Sequence, residues 1–147
     1  MLDTYRELLD LLVQTPTKLR EAAELAGTPP DGEWGAAQVL AHMAATEGFW
    51  LERLNLLLRE TDPLLRAPSG EMGTRQDALM NDTIADNLAA FNQVRGETIS
   101  LLMGFSLRDW DRSGTHETRG EMSIADVADM MVDHDAEHLE QLHALGG

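Results

Sequence analysis

The chain has 147 residues, 43% of them apolar and 25% charged, which suits one folded domain with a full hydrophobic core over 1–147. Its 26 Asp and Glu against 11 Lys and Arg leave a net charge of −15, and Lys18 is the single lysine, so the clustered cations that bind phosphate backbones are missing and nucleic-acid binding is excluded. Cysteine is absent, so a metal must sit on nitrogen and oxygen, and any thiol must arrive with a second substrate.

Four segments carry helical periodicity, and no stretch alternates cleanly enough to predict a strand. The first spans about Thr4 to Ala26, with Tyr5, Leu8, Leu9, Leu12, Leu19, Ala22 and Ala23 on one side. Pro16 lies inside it and removes a backbone donor, which predicts a kink near Val13 or a short break. After a turn cluster at Gly27 to Gly32, the second helix spans about Ala36 to Arg59 and buries Leu40, Met43, Trp50, Leu54 and Leu58. A longer connection with Pro63, Pro68, Gly70 and Gly73 leads to a third helix over about Arg75 to Met103. Phe105 to Glu121 reads as irregular. Ser123 then caps a fourth helix, with Asp126 three residues on completing a capping box. Four amphipathic helices predict an all-α fold, a four-helix bundle. No apolar run reaches transmembrane length, and the N-terminus carries acids where a secretory signal carries a basic cap. A cytoplasmic protein without a membrane partner is expected. Apolar helix flanks suit a homodimer as well as a monomer.

The chemistry concentrates in the last helix. His134 and His138 are four residues apart, and at about 100° per residue they share a face. They stand in register with Ile124, Val127, Met131, Gln141 and Leu145, the expected core seam, where imidazole costs free energy unless its nitrogens find partners. Two imidazoles at this spacing can hold one divalent ion, but a catalytic site takes a third protein ligand. His42 is the natural third, although on a helical wheel it lies with Val39, Thr46 and Phe49 at the edge of the apolar face. Glu47 shares the buried face with Leu40, Met43, Trp50 and Leu54. A carboxylate there serves as a fourth ligand, as a catalytic base, or as the ion-pair partner of a buried arginine such as Arg95, and the ion pair is the favoured role. Asp135 and Gln141 are either hydrogen-bond partners of the metal-binding imidazoles or solvated surface groups. Tyr5 and Trp50 are expected to line the site mouth. His116 belongs to a loop that can border the pocket without ligating, and His143 to a helix end whose negative dipole favours it.

Glu33-Trp34 leads into His42, with Glu47 and Trp50 following, and Phe91-x-x-x-Arg95 comes next. Leu107-x-x-Trp110, Gly120-x-x-Ser123 and His134-Asp-x-x-His138-Leu-x-Gln141 complete a series that spans most of the chain. In these stretches and their order the sequence resembles the DinB-like superfamily of four-helix-bundle metalloproteins. The resemblance implies a bundle in which His42, His134 and His138 bind a divalent metal, with nickel and zinc both suited to all-nitrogen ligation. It also implies either a thiol-dependent S-transferase using a low-molecular-weight thiol or a small hydrolase. A non-catalytic metal-binding stress-response module is the alternative.

Overall fold

The computed structural model describes residues 2–146 and contains six helices and three short strands. Helices α1 (Leu2–Leu25), α2 (Ala36–Arg59), α4 (Ile84–Met103) and α6 (Ile124–Leu145) form the bundle. The short helix α3 (Gly70–Leu79) and the single turn α5 (Leu107–Trp110) lie in its connections. Strand β1 (Leu64–Leu65) pairs parallel with β2 (Ser113–His116), and β2 pairs antiparallel with β3 (Gly120–Ser123). Among the described residues, no helix is long and apolar enough to cross a membrane.

Contacts set the order around the bundle as α1, α6, α2, α4. Tyr5 bonds Asp111, Thr15 bonds Asp135, and Gly27 N–H bonds the carbonyl of Leu145, so α1 and α6 run parallel. Asn87 meets Ala37 and Arg95 meets Glu47, so α2 and α4 are parallel as well. Parallel neighbours cannot be joined by tight turns, and the long connections through α3, α5 and the strands follow from that.

The core is split across its middle by a polar layer. Leu12, Trp50, Leu102 and Met131 belong to one apolar cluster, and Leu19, Met43, Phe91 and Leu142 to the other. Between them in sequence on each helix stand Thr15, Glu47, Arg95 and Asp135, all buried. Arg95, 1% exposed, uses all five N–H donors. Its Nε and Nη2 donate to the two oxygens of Glu47 at 2.8 and 2.9 Å. Nη1 and Nη2 donate to the two oxygens of Asp135 at 2.8 and 2.9 Å, and Nη1 also donates to the carbonyl of Leu12 at 2.9 Å. That last acceptor exists because of Pro16. The carbonyl four residues before a helical proline has no N–H to receive, and here Arg95 supplies one. Helix α1 therefore runs unbroken through Pro16, and the short break is not formed. Thr15 completes the layer, donating to Asp135 Oδ2 at 2.7 Å.

Three other expectations need correction. The third helix is two: α3 ends at Leu79, and Thr83 starts α4 by accepting a bond from Asp86 N–H. A Thr with an acid three residues on is the same start signal as Ser123 with Asp126, which does cap α6 as expected. Strands exist, but two to four residues are too few to show a period of two. The buried line of α6 is Ile124, Ala128, Met131, Asp135 and Leu142, so the histidines flank the seam and are only half-buried.

Gly114 holds the small sheet against the bundle. A Cβ there would lie 2.5 Å from the carbonyl oxygen of Pro63 and 3.2 Å from Leu57 Cδ2, both fixed in place. Gly114→Ala is expected to cost about 1–3 kcal/mol by overpacking, read as a lower urea midpoint at unchanged slope.

Candidate metal centre

Helix α2 supplies His42 and helix α6 supplies His134 and His138, with one nitrogen of each ring within 4.8 Å of the others. The two helices are antiparallel neighbours, and the pairs Arg95–Glu47 and Arg95–Asp135 fix both at the same level. Asp135 directly follows His134, and Glu47 lies little more than one turn beyond His42.

Hydrogen bonds decide which nitrogens are free. Gln76 Oε1, from α3, lies 2.9 Å from His42 Nδ1, and Gln141 Oε1 lies 2.8 Å from His138 Nδ1. A carbonyl oxygen only accepts, so both Nδ1 atoms carry protons and both Nε2 atoms present lone pairs. His134 Nε2 stands 3.1 Å from His42 Nε2, close enough to share a proton with it. Burial first, then the neighbouring His138 and His42 and the Arg95 charge, push His134 down to about 3. Burial likewise lowers His42, against the opposing pull of Gln76 and Glu137. Neutral rings at neutral pH are what metal ligation needs.

The donor set fits a divalent cation. Nitrogens bound at about 2.0–2.1 Å stand roughly 2.9 Å apart at right angles and about 3.3 Å apart in a tetrahedron. The 3.1 Å between His42 and His134 falls in that interval. A cation would displace the proton between them.

The histidines open into a cavity of about 680 Å³. Trp34, Phe49, Trp50, Met72 and Met130 give it apolar walls, and Thr46, Arg53, Arg119, His116, Thr118 and Glu137 are its other polar groups. A shallower groove of about 860 Å³ between α2 and α4, lined by Asn55, Asn92 and Glu97 among others, contains no histidine.

Of the residues singled out from sequence, His42, His134 and His138 come together, Gln141 bonds His138, and Trp50 lines the cavity with its ring centroid 6.4 Å from that of His134. Asp135 and Tyr5 do not take the places expected of them, and Glu47 takes the favoured one of its three roles. Asp135 touches Arg95 and Thr15 instead of an imidazole, because it points into the core from the next position on the helix. Glu47 is not a free base, since both its oxygens accept from Arg95, the ion-pair role. Tyr5 is on the core side of α1, stacked on Trp110 at 5.0 Å and donating to Asp111 at 2.7 Å, and is not a cavity residue. His116 does border the cavity, its Nδ1 accepting from the Thr118 and Arg119 N–H groups, and His143 is exposed.

Gln76, Arg53, Arg119 and Glu137 were missed. Arg53 had a signal: His42, Thr46, Phe49 and Arg53 form one stripe along α2. Glu137 shares the face of His134 and His138. Gln76 and Arg119 come from connections and leave no periodic trace.

The family model of the DinB superfamily matches residues 1–142. A protein of Oceanobacillus iheyensis named as a candidate metal-dependent hydrolase is 24% identical over 119 residues, covering 81% of this chain and 68% of that protein. Among solved structures, YfiT from Bacillus subtilis is described as a probable metal-dependent hydrolase with an unusual four-helix bundle topology. It superposes with a TM-score of 0.82 over 96% of this chain and 85% of its own, at 22% identity. Parallel neighbours in the bundle, the three converging histidines and the match over nearly the whole length lead to one conclusion: the chain belongs to the DinB superfamily.

Proposed function

We propose that the chain is a metal-dependent hydrolase whose ion, nickel or zinc, is held by His42, His134 and His138. The supporting observation is the convergence of three imidazoles, two with their outer nitrogens fixed by glutamines, at the wall of a cavity large enough for a small substrate. A divalent cation there supplies Lewis acidity toward a carbonyl or phosphoryl oxygen and acidifies water. The chain's own groups do the rest. Gln76 and Gln141 orient the rings, and the apolar walls exclude bulk water. Glu137 is the carboxylate on the cavity lining, close enough to His42 to raise its basicity, and is placed to accept a proton from the attacking nucleophile. The same cavity serves S-transfer if the nucleophile is an external low-molecular-weight thiol, a reading with which the absence of cysteine is consistent.

The test is turnover of a panel of small esters, amides and electrophiles, with and without added thiol, by protein carrying one equivalent of Ni²⁺ or Zn²⁺. Metal-loaded protein is expected to be active and the His134→Ala/His138→Ala variant inactive. Glu137→Gln is expected to lose about 10²–10⁴-fold in kcat with its metal content unchanged. Equal rates for loaded protein, chelated protein and the double variant would overturn the proposal.

A further inference from the structure

Two arginines share the histidine cavity. Arg53 comes from α2 and Arg119 from the turn between β2 and β3. Arg53 is 6% exposed, with its guanidinium 4.6 Å over the Phe49 ring and 5.9 Å from the Trp50 ring centroid. One of its nitrogens donates to the carbonyl of Arg66. Among the described residues, no carboxylate comes within 4.0 Å of either Arg53 or Arg119. The Arg119 guanidinium makes a weak contact with Met130 Sδ at 4.0 Å.

The contrast with Arg95 is informative. That guanidinium is met by two carboxylates, whereas Arg53, on the cavity wall of a chain of net charge −15, has none within 4.0 Å. Burial and the neighbouring Arg119 charge both press on Arg53, and Glu117, whose carboxylate is engaged with Ala67 N–H, does not offset them. A buried cation without a counterion is costly, and a second cation beside it adds to the cost. Both are relieved by an anion entering the cavity.

We infer that Arg53 and Arg119 form an oxyanion subsite beside the three histidines, taking a carboxylate or phosphoryl group on the substrate. The inference rests on the cavity being the substrate site proposed above. A planar guanidinium fork suits either oxyanion, and Arg53 is held rigid by stacking on Phe49, so little order is lost on binding. The overall negative field repels polyanions, which leaves a small substrate with one charged end. Anchoring that end holds the opposite end toward the imidazoles, and a substrate without it loses turnover as well as affinity.

The experiment uses the metal-free chain, so its outcome is independent of hydrolysis. The ¹⁵N-labelled protein is titrated with inorganic phosphate and with succinate, against chloride at equal ionic strength, following the Arg53 and Arg119 Nε–Hε resonances. A saturable shift of both resonances is expected. A shift with phosphate alone identifies a phosphoryl group, and with succinate alone a carboxylate. Arg119 is exposed, so Arg119→Gln keeps the fold, and it is expected to weaken the anion about tenfold. Shifts no larger than those with chloride, or equal affinity in Arg119→Gln, would overturn the subsite. Failure of the hydrolase reading appears separately, as absent turnover by metal-loaded protein that still binds the anion.

Discussion

Replacing Arg95 with methionine is expected to lower the stability of the fold by about 3–5 kcal/mol, because the change strands two buried carboxylates. Glu47 and Asp135 are 1% and 4% exposed, and the Arg95 guanidinium meets both oxygens of each. The Leu12 carbonyl also loses its donor, and Pro16 cannot replace it. Urea unfolding checks this, with the midpoint lowered at unchanged slope. Arg95→Lys keeps the charge but has three donors for five acceptor positions, so it is expected to fall between wild type and Arg95→Met. Removing all three charges, with Glu47→Leu and Asp135→Leu added to Arg95→Met, is expected to restore much of the loss. A deficit under about 1 kcal/mol would show that the layer is not what ties the four helices together.

How much of this was legible beforehand differs by element. Helix α2 and helix α6 fall where periodicity and the Ser123 cap place them, because long amphipathic runs with clear caps overdetermine their own boundaries. The break before Thr83 was hidden by apolar residues continuing on either side of it. The three strands were invisible because their pairing is set by tertiary contacts, such as Gly114 packed under Pro63, and not by a local pattern. In the site, the His134 and His138 spacing was readable from one helix, and His42 from the family resemblance. The role of Asp135 was not, since a one-residue step on a helix turns a side chain by about 100°, enough to move it from the cavity to the core. The Arg53 and Arg119 pair needs the fold itself, since a helix and a hairpin turn distant in sequence meet at one cavity wall.

Metal is expected to stabilise the chain through the histidines. At a free Ni²⁺ or Zn²⁺ concentration about 100 times Kd, binding to the folded state alone adds about 2.7 kcal/mol. For a domain of this size each kcal/mol raises Tm by roughly 2–4 °C, so a shift of about 5–11 °C is expected in thermal scans and is reversed by a chelator. His134→Ala/His138→Ala removes two of three donors and is expected to abolish the shift together with stoichiometric binding. His42→Ala leaves a two-histidine remnant and is expected to behave similarly, because two neutral donors do not close a site. The outer nitrogens give a finer control. Gln76→Leu and Gln141→Leu keep every ligand but release the Nδ1 protons that orient two of the rings. Each is expected to weaken the metal about 10–100-fold without removing it, lowering the thermal shift at fixed metal concentration. Full retention of bound metal in His134→Ala/His138→Ala would place the ion elsewhere in the acidic surface. Equal weakening by a surface change such as Glu24→Gln would show the shift to be charge neutralisation and not ligation. The glutamine variants separate these cases, because they change neither net charge nor ligand count and act only through the orientation of an imidazole.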